Sequence, residues 1–262
     1  MARDFDGVND NIDFGAIPGI SDLTTVSCSV WVWNDILTTD MNVVEDTDAT
    51  PFPGFRLYFD DVGSISGRTD IYNISTREST GAGGTAVRIE SATGSAVSGA
   101  WQHVFWSFEA ASATGLQLWI AGAEDANSPA DVSAMADMGL SNNPIQLGET
   151  NAGGADRDGK IAEIAFWNRI LTDAEIVILS KAYSPLFVTN GLIFYAPLFG
   201  QAAAEPDIKG GASGGLTGTT AFAHPRIIYP SPAQIRRFTA ASVASIPNKI
   251  YQSPKNQAIH RS

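Results

Sequence analysis

The chain has 262 residues, 44% of them hydrophobic and 17% charged, with 28 Asp and Glu against 16 Lys and Arg and a net charge of −12. That length suits one large β-sandwich with extensions or two small domains, and the apolar content excludes a globally disordered chain. The single cysteine, Cys28, excludes an intrachain disulfide, and no apolar run reaches the roughly 18 residues of a membrane-spanning helix.

Residues 1–10 lack the apolar stretch of a secretory signal, so the expected place of synthesis is a cytosol. Residues 25–33 alternate: Val26, Cys28, Val30 and Val32 share one face, and Ser27, Ser29, Trp31 and Trp33 the other. The Trp face is either core or a platform for stacking on sugar rings; central sandwich strands bury much of both faces, which favours core. Glu45-Asp46-Thr47-Asp48 lacks flanking apolar alternation and reads as a solvated loop, not an acid/base site. Residues 54–60 place Phe55, Leu57 and Phe59 on one face, and residues 85–90 form a shorter strand. Residues 101–109 set Gln102, Val104, Trp106 and Phe108 against Trp101, His103, Phe105 and Ser107, with His103 a hydrogen-bonded core histidine.

Residues 116–120 alternate again before an Ala121-Gly122 turn, and residues 161–167 form a strand with little exposed face. Thr172-Asp173-Ala174-Glu175 has capping-box spacing: the Thr hydroxyl accepts from the N3 amide and the Glu carboxylate accepts from the Thr amide. Ile176, Leu179 and Tyr183 are spaced to pack one face of that helix, and Ser184-Pro185 ends it. A strand-like run at 191–198 precedes a Gly-rich loop at 209–218. Beyond His224, prolines at 225, 230, 232, 247 and 254 break every run, which suits an extended arm, with a short helical turn at 234–238. The division is therefore residues 1–183 as a sandwich, 184–223 completing or flanking it, and 224–262 as the arm.

The charge follows the same division. Every acidic residue lies at or before Asp207, while Lys209, Arg226, Arg236, Arg237, Lys249, Lys255 and Arg261 follow it. A basic tail on an acidic body marks an interaction segment, folded on its own body or docked on an acidic neighbour. Nucleic acid is disfavoured, since the basic residues are dispersed and the body repels phosphate. Arg226, Arg236 and Arg237 are the expected charged contacts, with Tyr229 and Phe238 as apolar anchors.

Three segments together resemble the laminin-G-like, concanavalin A-like jelly-roll family. Residues 5–12 resemble its opening strand, Asp/Asn turn and second strand; residues 99–104 its central core strand; and residues 158–172 its closing strand and capped helix. The resemblance covers about 1–183 and implies an all-β antiparallel jelly-roll sandwich with one short helix. One departure is Ala162, where members often carry Asp beside a retained Glu163, which weakens a metal role for that strand. The Gly-rich and Pro-rich tail is similar to tails on such domains in tailed-phage proteins. That implies a virion structural protein, as a capsid decoration, head-fibre or tail-associated component, self-associating (a trimer among the expected forms) and docking on capsid or tail proteins. The rival reading is a carbohydrate-binding adhesin that holds a cell-surface glycan.

A glycoside hydrolase on this fold needs paired carboxylates, which a Glu-x-Asp-x-Glu strand supplies; no such string occurs. No Gly-x-Ser-x-Gly elbow or Gly-Lys-Ser/Thr phosphate loop occurs either, so the expected protein is not an enzyme. Calcium is the one expected cofactor. Asp6 and Asp10 in one loop and Asp156 and Asp158 in another offer hard oxygen ligands, and the resemblance implies that such loops share an ion near the sandwich rim. The alternative is that both are simple Asx turns.

Overall fold

The computed structural model describes residues 2–17, 19–20, 23–47, 53–62, 66–78, 86–139, 144–200 and 203–230. The strands are β1 (Ala2–Asp6), β2 (Asn11–Asp13), β3 (Thr25–Asn34), β4 (Met41–Thr47), β5 (Gly54–Val62), β6 (Thr69–Arg77), β7 (Ala86–Glu90) and β8 (Gln102–Glu109). They continue as β9 (Leu116–Ile120), β10 (Ala123–Glu124), β11 (Gln146–Leu147) and β12 (Asp158–Trp167). After helix α1 (Asp173–Ser180) come β13 (Leu192–Ala196), β14 (Ala204–Pro206), β15 (Ser213–Thr217) and β16 (Thr220–Phe222). Residues through Tyr229 make one compact unit.

Two antiparallel sheets form a jelly-roll sandwich. The first runs β10-β9-β8-β3-β12-β1-β16, with β13 also on β12; the second runs β14-β15-β2-β11-β4-β5-β6-β7. The alternating faces of β3, β5 and β8 point as the sequence pattern predicts. Val26, Cys28, Val30 and Val32 meet Phe55, Leu57 and Phe59 from the other sheet, with Val104, Trp106 and Phe108 beside them. Phe55 lies 4.8 Å from Trp106 and 5.6 Å from Phe166, centroid to centroid. Each such buried side chain contributes about 1.5–3 kcal/mol. Cys28 is inside this core, where burial pushes its thiol well above the ordinary value.

A second core lies on the outer face of the first sheet. Ile176 and Leu179 of α1 cover Phe105, Ala165, Trp167 and Tyr195, and the Trp167 indole donates to the Val188 carbonyl at 2.6 Å. The capping box forms with both of its hydrogen bonds. Glu175 also takes two bonds from Arg169, and these donors hold its carboxyl at about 2. His103 is buried against Ser29 at 2.8 Å, and burial pushes it down to about 3, so it stays neutral.

Four segments differ from their sequence expectation. The stretch containing Glu45-Asp46-Thr47 is no solvated loop but the end of β4, with Asp48 outside the described residues. A register shift between Asn42 and Val44 inserts one extra residue in β4. It sends Asn42 and Glu45, three apart, to the same face, so a period-two reading finds no strand. Part of the Gly-rich loop is β15, which pairs with β2 through Gly215↔Asp13 and Leu216↔Ile12. Trp31, Trp33 and Trp101 are half-buried and belong to neither core; Trp33 packs edge-on to Trp101 at 6.0 Å, and its indole donates to Asp35.

The fourth difference is residues 224–229, which pack on the sandwich and are not an extended arm. Glu163, at φ +56°, sits at a register shift in β12 and is buried. It accepts from the Tyr195 hydroxyl at 2.6 Å and the Tyr229 hydroxyl at 2.5 Å, and pairs with His224 Nε2 at 3.1 Å. Tyr183 bridges to Ile228 alongside. Tyr229, expected as a partner anchor, thus spends its hydroxyl within the body. Arg226 is exposed, and Arg236, Arg237, Phe238 and the turn at 234–238 lie outside the described residues.

Candidate functional site: the outer face of the second sheet

Strand registers align two polar rows across this face. The first reads Asp13·Gln146·Glu45·Arg56·Ser75·Arg88, one residue from each of β2, β11, β4, β5, β6 and β7. The second reads Asn42·Tyr58·Asn73·Glu90 on β4 to β7. The intervening residues Leu57, Phe59, Tyr72, Ile74 and Ile89 point into the core, so the apolar half of the pattern fixes which polar side chains face outward. Gly54 opens β5 at φ +111°, where any Cβ would run into the Asp46 carbonyl, so only glycine lets β4 and β5 pair this closely.

The rows are layered in depth. Glu45 is 2% exposed and accepts from the Asn151 amide and, at 3.6 Å, pairs with Arg56; burial raises its pKa, and those two partners oppose the rise. Asn42 donates to the Glu149 carbonyl at 2.8 Å and accepts from Arg56 Nε at 3.3 Å. Glu90 accepts from the Ser66 amide and hydroxyl. The Arg56 guanidinium lies 4.5 Å above the Tyr58 ring. Between Tyr58 and Glu90, Asn73 is 0% exposed, and neither its amide nitrogen nor its amide oxygen has a partner. Leaving such a group unsatisfied costs about 1–3 kcal/mol, so the position is held against its own stability.

The four aspartates expected to hold calcium are only partly gathered. The two loops do meet: Gly7 N donates to the Arg157 carbonyl at 2.9 Å, and Asp6 pairs with Asp158 in register. Asp6 accepts from the Val8 amide at 3.1 Å and Asp10 from the Asp6 amide at 2.9 Å, which are local turn bonds. Burial raises Asp10 and Asp156, and the Asp6 charge adds to both. Asp158 is also raised by burial, but its charged neighbours are Asp35, Lys160, Asp4 and Arg157. Asp156 Oδ1 is a buried oxygen without a partner, yet the four carboxylates do not converge as one cage. Among the described residues, the acidic trio with oxygens mutually within 4.8 Å is Asp40, Asp60 and Asp61. Burial, then the neighbouring acidic charges, raise Asp40 to about 6 despite the Asp61 amide it accepts.

The polar rows escape sequence inspection because they are assembled by register from six strands. The one local signal is the Arg56-Leu57-Tyr58-Phe59 alternation, whose polar half lies on this face.

A family model described as the concanavalin A-like lectin/glucanases superfamily matches residues 6–177. No curated protein matches the chain. Among solved structures, the chain is similar to a putative carbohydrate binding protein from Bacteroides ovatus, at 18% identity and a TM-score of 0.61. That match covers 87% of this chain and 61% of the other, so the chain spans about three fifths of that protein's length. It is also similar to domain 4 of the arabinanase AbnA from Geobacillus stearothermophilus, solved with arabinotriose (18% identity, 68% and 76% coverage, TM-score 0.48). A third is the sialidase module CBM40 of Ruminococcus gnavus bound to α2,3 sialyllactose (12% identity, 69% and 98% coverage, TM-score 0.49).

Proposed function

The chain belongs to the concanavalin A-like lectin/glucanase superfamily, and on that premise we propose that it is a non-catalytic carbohydrate-binding protein whose ligand lies on the outer face of the second sheet. The observation that carries this reading is Asn73, a buried amide without a partner inside two rows of polar side chains. A sugar ring presents hydroxyls that both donate and accept. Once the covering side chains move aside, a hydroxyl entering between Tyr58 and Glu90 would pair with the fully buried Asn73 amide and remove the cost of leaving it unmade. Tyr58 holds the Arg56 guanidinium in place before the ligand arrives, which reduces the ordering cost of binding.

The same rows argue against hydrolysis. Glu45 on β4 and Glu90 on β7 lie in different rows and three strand spacings apart, so their backbones are separated by more than about 14 Å, whereas catalytic carboxyl pairs stand about 5–9.5 Å apart. A second reading is an assembly protein that docks on a capsid or tail partner through its basic C-terminal segment. It rests on the charge division and on the similarity of the Gly-rich and Pro-rich tail to tails in tailed-phage proteins.

A glycan array, run with and without a calcium chelator, tests the proposal. Expected are hits that Arg56→Ala and Asn73→Ala abolish while the melting temperature stays near that of the native protein. An array without hits under either condition, or hits indifferent to both substitutions, overturns it.

A further inference from the structure

Residues 224–229 lie on the outer face of the first sheet with little apolar burial to hold them. Pro225 is buried, whereas Arg226, Ile228 and Tyr229 are exposed. Their attachment is polar. The Ile228 amide donates to the Ala182 carbonyl at 2.7 Å, and the Ser184 amide donates to the Ile228 carbonyl at 3.0 Å. The Tyr229 hydroxyl donates to Glu163 Oε1 at 2.5 Å. His224 completes the set: Nδ1 stands 2.9 Å from the Pro225 carbonyl, and Nε2 stands 3.1 Å from both the Pro197 carbonyl and Glu163 Oε1. A carbonyl oxygen can only accept, so both ring nitrogens must donate, and the ring bonded in this way is an imidazolium.

Loss of one proton leaves a lone pair facing a carbonyl or the Glu163 carboxylate, and an attraction becomes a repulsion. The other groups around the ring do not titrate in its place. The Tyr195 and Tyr229 hydroxyls are pushed up by burial and by the Glu163 charge, so they keep their protons. Arg226 in the segment, and Lys181 and Tyr183 beyond α1, are exposed. The docking positions also carry backbone strain. Glu163, Ala182 and Leu198, the last beside the Pro197 carbonyl, take φ values of +56°, +63° and +58°, where a side chain is unfavourable.

We infer that residues 224–229 are a pH-operated latch, shut while His224 carries both ring protons and opened, away from Glu163 and the 182–184 backbone, when one of them leaves. Opening lengthens by six residues the chain between the body and the basic positions Arg236 and Arg237.

Trypsin cleavage of the Arg226–Ile227 bond in the full-length protein tests it, followed by mass spectrometry from about pH 6 to about pH 9. The rate is divided by that on an unstructured peptide of the same sequence. Expected is slow, flat cleavage below the ordinary histidine value of 6.5 and then a rise of up to about tenfold per pH unit. The rise levels off above the folded His224 value, read independently from the imidazole resonances of the same protein. In His224→Gln the rise is absent. Should that variant misfold, agreement between the cleavage and resonance midpoints of the native protein decides. A normalised rate that stays flat with pH, midpoints that disagree, or a rise that survives in a folded His224→Gln overturns the latch.

Discussion

The outer faces of the two sheets are treated in opposite ways. On the first sheet, α1 and residues 224–229 cover Trp167, Phe105, Tyr195 and Glu163, and every polar atom of the Glu163 carboxylate is bonded. On the second sheet, two rows of polar side chains lie across six strands, and a buried amide at their centre is left without a partner. Both faces bury unpaired polar atoms, His103 Nδ1 and Trp119 Nε1 on the first and both polar atoms of the Asn73 amide on the second, but only at Asn73 is a whole amide left unpaired inside a layer of polar side chains. The difference is what the proposed ligand site on the second sheet rests on.

Substitutions sharpen or break that comparison. The largest effect is expected from Trp167→Ala beneath α1, which removes about 3–5 kcal/mol in urea unfolding. A loss near 1 kcal/mol would mean that the second core is loosely packed. Next comes Glu163→Ala, which removes the acceptor of the Tyr229 hydroxyl and one partner each of Tyr195 and His224, and costs about 3 kcal/mol by the same measurement.

That cluster also has a pH signature. Burial alone would lower the His224 pKa, but the hydrogen bond and charge of Glu163, aided by the Pro197 and Pro225 carbonyls, carry it above its ordinary value of 6.5. Because the folded value is the higher, the stabilisation is complete below 6.5 and is lost as pH rises through the folded value. Amide exchange at 224–229 should therefore quicken, beyond its intrinsic pH dependence, across that window. In His224→Gln the extra quickening disappears; its persistence would assign the effect to another group.

Thr172→Ala removes the helix cap and should cost about 1 kcal/mol in thermal unfolding. Smallest is Asn73→Val on the polar face, expected to leave stability unchanged or raise it by up to about 1 kcal/mol, because no bond is lost. A destabilisation above 2 kcal/mol, roughly that of a lost hydrogen-bond partner, would show that Asn73 is structural and would erase the contrast.

The covered half of this molecule was largely legible in its sequence. Alternation in residues 25–33 and 101–109 and the Thr172–Glu175 capping box are local patterns, and each forms as read. The half proposed to bind a ligand was not. A bulge at Val43 hid β4, and Glu45, Arg56, Ser75 and Arg88 become neighbours only once four separate strands are in register. Asn73 has a polar residue's alternation but no motif, and nothing in composition distinguishes a buried amide without a partner from a surface one. Trp31 and Trp33 misled in the other direction: their place on a central strand, expected to bury much of both faces, favoured core, and the structure leaves them half-buried, with Trp33 edge-on to Trp101.

Hydrogen exchange of the full-length protein, with and without the tightest glycan from the array, tests the central claim most directly. The account predicts new protection in β4, β5, β6 and β7, with the Trp31, Trp33 and Trp101 surface unchanged. Protection confined to that aromatic surface, or to the loops at 6–10 and 149–158, would contradict it.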